Sequence, residues 1–520
     1  MPNWTPGPIP IPRQRVYGGN IDRTEITPET HKNEFPNYQQ DTNPNYKPSL
    51  DPWQKVLKQK VMRSDIKGLF ILISPSGGKT RPIMEGLIYK LLIKNTKFKI
   101  LWSAPLKQLA YQLCNDIAKD LFGELLKTET GKIFLDRIIP NIHISDPRVN
   151  LTKKRYDEIL KDIKLHYIGV KTGEGKLDGF SEVNDNTLVD ITTFEIAGQN
   201  IKKYKYNAVI IDEMQEAFTL GTAKSIKHIT AYNNLFKYQQ DKYMYLLSGT
   251  THKNIAKNFI DWVNKKYNSN IESFERDYTE TKNRSIVNVI PTSQLANYRK
   301  LDEFILNILT KNMGHFHLMI LFSKKQIKNF CETLIKRIPP YIKIPDMELN
   351  FANADNRLIC ACLKRGFGYI VGGQPSSVRE LDKILMLSAM EKVEVARLFK
   401  NKTIKFLFST DAVGIGVNMK VRSLYIPSVK RFDGTGLTDT SPSTLVQLLH
   451  RAGRGSVPVA TIYTTPADLD IVRCHMEKDP MVVCINDFDV SLYSKGMSMD
   501  EQFKIKLMSA NPCRKILSNR

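Results

Sequence analysis

The stretch Gly68-Leu-Phe-Ile-Leu-Ile-Ser-Pro-Ser-Gly-Gly-Lys-Thr80 decides the fold. An apolar run of strand length passes straight into a glycine-rich turn, and a helix-like segment follows. A chain that must wrap a phosphate needs this form. Successive backbone N–H groups close around the anion, and a side chain at Gly77 or Gly78 would block the approach. The helix that begins after Lys79 adds the positive end of its dipole. Ser76, Gly77 and Gly78 are therefore expected to line a nucleotide site. Lys79 is expected at the β- and γ-phosphates, and Thr80 on Mg²⁺. The competing reading is a glycine-rich turn that happens to precede Lys-Thr.

A second strand-like run, YNAVIIDEMQ (206–215), ends in two adjacent acids. In a parallel sheet the carboxyl ends of the strands form the ligand crevice. There Asp212 can hold Mg²⁺, and Glu213 can orient and deprotonate a water. Acidic pairs also decorate solvated faces, but this one closes an apolar strand. Between and beyond the two runs, apolar segments recur at Ile100–Trp102, Leu188–Ile191 and Met244–Leu247, each followed by a turn cluster and a helix-length segment. The pattern restarts at Ser285–Ile290, Leu318–Phe322, Tyr369–Val371, Ile404–Phe408, Leu424–Ile426 and Val459–Tyr463. Such alternation predicts an α/β chain with two successive parallel sheets flanked by helices. The polar stretch 266–300 reads as the linker between them.

The 520 residues carry 76 Lys+Arg against 53 Asp+Glu, a formal charge of +23. The ends are balanced, with five of each sign in 1–50 and eight of each in 456–520. All of the excess thus lies in 51–455, and a division near Arg284 leaves +11 before it and +12 after it. Two similar blocks sharing one polyanion, most often nucleic acid, explain that spread better than a basic tail does. Apolar runs such as Leu69–Ile73 and Leu318–Phe322 are far below the ~18 residues of a membrane span. Five prolines in the first twelve residues leave no apolar stretch for a signal peptide and no amphipathic helix for a transit peptide. Seven cysteines, thinly spread, imply no disulfide framework and a reducing compartment. Cys360-x-Cys362 and Cys474-His475 lack the second pair of ligands of a structural zinc site.

The remaining segments fall into an ordered series. LDPWQKVL (50–57), SAPLKQLA (103–110), VKTGE (170–174), DITTFE (190–195), DEMQ (212–215), LSGT (247–250), LMILFSKKQ (318–326), FSTDAVGIGVN (408–418) and QLLHRAGRG (447–455) follow one another along the chain. They resemble the motifs of superfamily 2 helicases of the DExH type. Thr-Gly-Glu at 172–174, Asp-Glu-x-Gln at 212–215 and Asp-Ala-Val-Gly at 411–414 are most similar to those of the mitochondrial degradosome and Ski-like RNA helicases. Three positions depart from the pattern: Ile73 stands for Gly or Ala, Gly249 for Ala, and His450 for Gly. About 65 residues follow the last motif, too few for the winged-helix and ratchet domains of Ski-like enzymes. A compact virus- or plasmid-encoded member fits that length, and the Lys/Ile/Asn-rich usage fits an AT-rich genome.

The resemblance implies two tandem RecA-like domains with a nucleotide cleft between them. The expected divisions are an extended N-terminal arm at 1–50, a first domain at 51–284, a second at 285–465 and a C-terminal extension at 466–520. Gln54 would read the adenine, and Asp411 and Gly416 would face the nucleotide. Arg451 and Arg454 would approach the γ-phosphate from the second domain, with Gln447 beside them. Pro105, Lys107, Gly173, Thr193, Ser323, Lys324 and Thr410 would grip the backbone of a strand. Gln215, Ser248 and Thr250 would couple the two events. The implied activity is ATP- and Mg²⁺-dependent movement along a single strand or tailed duplex, of RNA in the first instance. A DNA helicase of viral transcription or replication and a non-enzymatic helicase-like scaffold are the alternatives. No membrane role is expected. The location would be intracellular and cytoplasmic, or a viral factory or virion for a virus-encoded chain. By elimination, 1–50 and 466–520 are expected docking elements for a protein partner.

Overall fold

A computed structural model describes residues 50–75, 78–94, 98–139, 142, 144, 146–173, 177, 179–217, 223–238, 242–276, 285–310, 314–342, 357–372, 384–411, 419, 421–432, 437–453 and 459–479. Ser76, Gly77, Gly416 and Arg454 lie outside the described residues, as do nearly all of the N-terminal arm and 480–520.

Seven parallel strands form the first sheet: β1 (Gly68–Leu72), β2 (Ile100–Ala104), β3 (Ile168–Lys171), β4 (Val189–Thr193), β5 (Ala208–Ile211), β6 (Tyr243–Ser248) and β7 (Ile271–Glu275). Their order is β3-β4-β2-β5-β6-β1-β7. A second parallel sheet follows, of β8 (Ile286–Pro291), β9 (His317–Ile320), β10 (Phe367–Ile370), β11 (Phe406–Ser409), β12 (Ser423–Ile426) and β15 (Val459–Thr464), in the order β10-β11-β9-β12-β15-β8. An exposed antiparallel pair, β13 (Lys430–Phe432) and β14 (Leu437–Asp439), lies outside it. Helices cover both sheets, so the central strands are buried along their whole length. Their near-continuous Leu, Ile, Val and Phe runs follow from that burial.

The first sheet has a core on each face. Ile71, Trp102 and Ile210 lie on one, with Trp53 and Leu57 of the helix Pro52–Met62. Phe70, Leu101 and Val209 lie on the other, with Phe194, Tyr232 and Phe259. The second sheet is centred on Leu318, Phe408 and Leu424. Packing there continues past position 465. Val472 of the helix Leu469–Glu477 is fully buried in this core, and the Asp468 carboxylate accepts the Val429 N–H at 3.2 Å.

The stretch 266–300 is not simply a linker. Ile271–Glu275 pairs with β1 as the edge of the first sheet, and 286–291 is the edge of the second. The two units also touch. The helix Ala389–Lys400 of the second packs on the helix Lys107–Ile117 of the first, and Ala389 joins the first unit's core. Among the described residues no helix is long and apolar enough to cross a membrane, and no group of three metal-ligating side chains occurs. Cys360 and Cys362 are buried thiols that form no disulfide.

Candidate functional site

Thr80 opens the helix Thr80–Lys94, directly after β1 and its glycine turn. Gly78 has φ +81°, a conformation that costs glycine little. Its carbonyl accepts from Gln54 Nε2 at 3.2 Å, and Gln54 Oε1 accepts the Asp51 N–H at 2.9 Å. The helix carrying Gln54 is thereby tied to the phosphate loop. Lys79 Nζ donates to the Ile73 carbonyl at 3.3 Å, across the base of the loop.

Two of the three departures from the motif pattern have local causes. Ile73 is fully buried in the core and its N–H donates to Ser248 O at 3.1 Å, so it extends the sheet rather than lining the loop. At Gly249 a Cβ would sit 3.1 Å from the Pro75 nitrogen and 3.2 Å from its ring carbons. Glycine is what lets the loop after β6 lie against the phosphate loop. Gly249→Ala should therefore weaken ATP binding about 3- to 10-fold, the equivalent of about 1 kcal/mol, with little change in thermal unfolding. Equilibrium nucleotide titration checks this. His450 sits at φ −71°, ψ 9°, where no glycine is required.

Asp212 and Glu213 follow β5. The Asp212 N–H donates to Ser103 O at 2.9 Å, carrying the β5–β2 pairing to the strand's end. Asp212 is buried. That burial, and the neighbouring Glu213 charge, push its carboxyl up to about 7, against the pull of the Lys79 ammonium. A buried carboxylate and a helix-start hydroxyl are oxygen donors suited to a hard divalent cation, so Asp212 and Thr80 fit Mg²⁺. Glu213 has φ +51°, uncommon for a side-chain-bearing residue. Its carboxylate accepts a hydrogen bond from Gln215 Nε2. Ser248 Oγ in turn donates to Gln215 Oε1 at 2.7 Å and lies 2.6 Å from Thr251 Oγ1. Thr250 Oγ1 lies 2.8 Å from Ser443 Oγ, on the helix Pro442–Leu449 of the second unit. That helix carries Gln447, and the turn after it carries Arg451; both are buried. Asp411 is half-buried after β11.

The structure thus brings Gln54, Gly78, Lys79, Thr80, Asp212, Glu213, Gln215 and Ser248 to one edge of the first sheet, and carries Thr250 across to the helix of Gln447. Sequence reasoning missed Thr251 and Ser443. The hydroxyl content of LSGTT and SPST was the available signal, and only tertiary contact gives it meaning.

The strand-gripping candidates cluster likewise. Pro105, Lys107, Gly173 and Thr193 follow β2, β3 and β4, which are neighbours in the sheet. A Cβ on Gly173 would lie 3.5 Å from Lys107 Nζ, and Tyr111 OH lies 2.7 Å from Thr172 Oγ1. Thr193, the last residue of β4, stands at the N-cap position of the helix Phe194–Lys203 without a side-chain capping bond. In the second unit Ser323 caps the helix Lys324–Arg337 after β9, and Thr410 Oγ1 accepts the Gly372 N–H at 3.0 Å after the adjacent β11.

No protein-family profile matches the chain. A stretch of 163 residues is 29% identical to the antiviral helicase SKI2 of Saccharomyces cerevisiae, covering 29% of this chain and 12% of that one. A stretch of 157 residues is 28% identical to the DExH-box ATP-dependent RNA helicase DExH9 of Arabidopsis thaliana, covering 27% and 14%. Among solved structures, the Mycobacterium smegmatis helicase Lhr bound to ssDNA and AMP-PNP superposes with a TM-score of 0.53 at 13% identity, over 89% of this chain and 54% of Lhr. The chain is an α/β protein whose two parallel-sheet units match helicase structures with tandem RecA-like domains. It is similar in sequence to Ski2-like and DExH RNA helicases over less than a third of its length, and that stretch is about an eighth of SKI2.

Proposed function

We propose that this chain is an ATP-dependent helicase or translocase of the DExH type that moves along single-stranded RNA. The observation that carries the reading is the hydrogen-bonded set Glu213–Gln215–Ser248, together with the Thr250–Ser443 contact that the same segment makes with the second unit two residues on. In this reading ATP lies at the phosphate loop, with Lys79 on its phosphates and Mg²⁺ held by Thr80 and Asp212. The ion neutralises charge on the phosphate oxygens. Glu213 takes the proton of the attacking water, and Gln215 fixes its carboxylate for that role. Arg451 and Arg454 supply positive charge from the second unit, so hydrolysis depends on closure of the two units. Pro105, Lys107, Gly173, Thr193, Ser323, Lys324 and Thr410 hold backbone phosphates, which makes strand binding sequence-independent and salt-sensitive.

RNA is preferred because DExH9 is an RNA helicase by name and the motif likeness is to RNA helicases. The ssDNA in the Lhr structure keeps DNA as the second reading. Unwinding of 3′- and 5′-tailed duplexes of each nucleic acid tests the assignment; ATP-dependent unwinding only of DNA would replace RNA by DNA. Lys107→Ala should weaken single-strand binding about fivefold and leave kcat at saturating strand unchanged, which strand titration of the ATPase checks.

A further inference from the structure

The opposite edge of the first sheet, where its strands begin, takes no part in the function proposed above. On one face of the sheet three helices end there, and each carries lysine in its last turn: Phe194–Lys203 with Lys202 and Lys203, Ala223–Lys237 with Lys237, and Lys253–Tyr267 with Lys265 and Lys266. The following loops add Lys205 and Lys242. Three of these side chains converge on the exposed Tyr238. Lys202 Nζ and Lys237 Nζ each lie 5.8 Å from its ring centroid, and Lys242 Nζ donates to its carbonyl at 2.6 Å. The Tyr243 N–H donates to Asn207 O at 3.0 Å, which joins the Lys205 loop to the Lys242 segment. Tyr267 OH donates to Asn233 Oδ1 at 2.8 Å and ties in the third helix, where Lys266 Nζ lies 4.8 Å from the Trp262 ring.

Favourable alignment with helix dipoles explains one cation per helix end. It does not explain why Lys202, Lys203, Lys205, Lys237, Lys242 and Lys265 gather on one edge with no carboxylate partner among the described residues. Elsewhere on the surface Lys58, Lys127 and Lys328 each pair with a glutamate, and at the same edge, on the other face of the sheet, Lys60 pairs with Glu272. Among the described residues, no ion pair involves Lys202, Lys203, Lys205, Lys237, Lys242 or Lys265. Ammonium groups set around the exposed Tyr238 ring suit a ligand that alternates phosphates with flat rings. An acidic peptide would use the charges and leave the rings idle.

We propose that this edge is a second nucleic-acid surface, holding phosphates of a strand at Lys202, Lys237 and Lys242 with a base against Tyr238. The inference rests on the chain binding nucleic acid, and it places a contact outside the cleft-side track. A strand long enough to leave the track would be held at both edges.

The test uses the full chain, a single-stranded RNA of about 40 nucleotides and one of about 10, the size of one track. Lys202→Gln/Lys237→Gln, two exposed positions, should weaken the long strand about 5- to 10-fold and leave the short one unchanged. The slope of log affinity against log salt for the long strand should fall by about 1.4, at roughly 0.7 per lost phosphate contact. Photocrosslinking of the long strand should label Tyr238. Unchanged long-strand affinity and slope with no label on Tyr238 would overturn the proposal, as would capture of poly-glutamate in place of RNA. Lys107→Ala separates the two readings. If it weakens the short strand while the double variant changes nothing, the second surface alone fails; if crosslinks map only to Tyr238 and Lys107→Ala is silent, the cleft-side track alone fails.

Discussion

Glu213→Gln is expected to lower ATP hydrolysis about 10²- to 10⁴-fold, the usual contribution of a positioned general base, while nucleotide affinity stays within a few-fold of the original. The substitution keeps size and shape and removes the proton acceptor. Glu213 is suited to the role by its surroundings. Its backbone is left-handed, at φ +51°, and Gln215 holds one of its oxygens. The adjacent Asp212 is buried, whereas Glu213 is only half-buried. Single-turnover hydrolysis with separately measured binding checks the claim. An unchanged rate would remove Glu213 from the chemistry.

The second large effect is on stability. Lys99→Met is expected to destabilise the first unit by about 3–5 kcal/mol, the cost of leaving a buried charge without its partner. Lys99 Nζ lies 3.0 Å from Asp190 Oδ2, and Asp190 is fully buried in β4. Tyr206 OH donates to the same oxygen at 2.7 Å, and Lys99 Nζ also donates to the carbonyls of Asn184 and Thr187 at 2.6 and 2.7 Å. Burial nevertheless raises the Asp190 carboxyl above its ordinary value, against the pull of Lys99 and the hydrogen bonds. The pair therefore resists being broken without adding much net stability. Replacing both partners, as in Lys99→Met/Asp190→Asn, should recover part of the loss. Urea unfolding of the three proteins measures this; equal loss in the single and double variants would show that the network acts through something other than the ion pair.

Legibility in the sequence followed burial. The central strands β1, β2, β5, β6, β9 and β11 are buried on both faces and read as apolar runs. Two strands of the first sheet did not. Ile168-Gly-Val-Lys171 is short and contains a glycine, and Ile271–Glu275 alternates buried with half-buried and exposed positions as an edge strand, inside a polar stretch that reads as linker. The exposed β13–β14 pair has no apolar pattern to find. In the site, residues close in sequence and bound to one chemistry were legible: Gly78 to Thr80, and Asp212 with Glu213. Contacts set by the fold were not. Thr250 and Ser443 are 193 residues apart, and the Lys99–Asp190 pair joins Asp190 of DITTFE to a lysine before β2 that belongs to no motif.

The central claim is that one strand and one nucleotide are coupled across two units. The rate of ATP hydrolysis with and without single-stranded RNA, with single-stranded DNA in parallel, tests it most directly. The account predicts a low basal rate raised at least tenfold by RNA, and loss of that stimulation when Thr250→Val/Ser443→Ala removes the contact between units. An ATP-bound protein whose hydrolysis responds to neither nucleic acid would contradict it and leave a helicase-like scaffold.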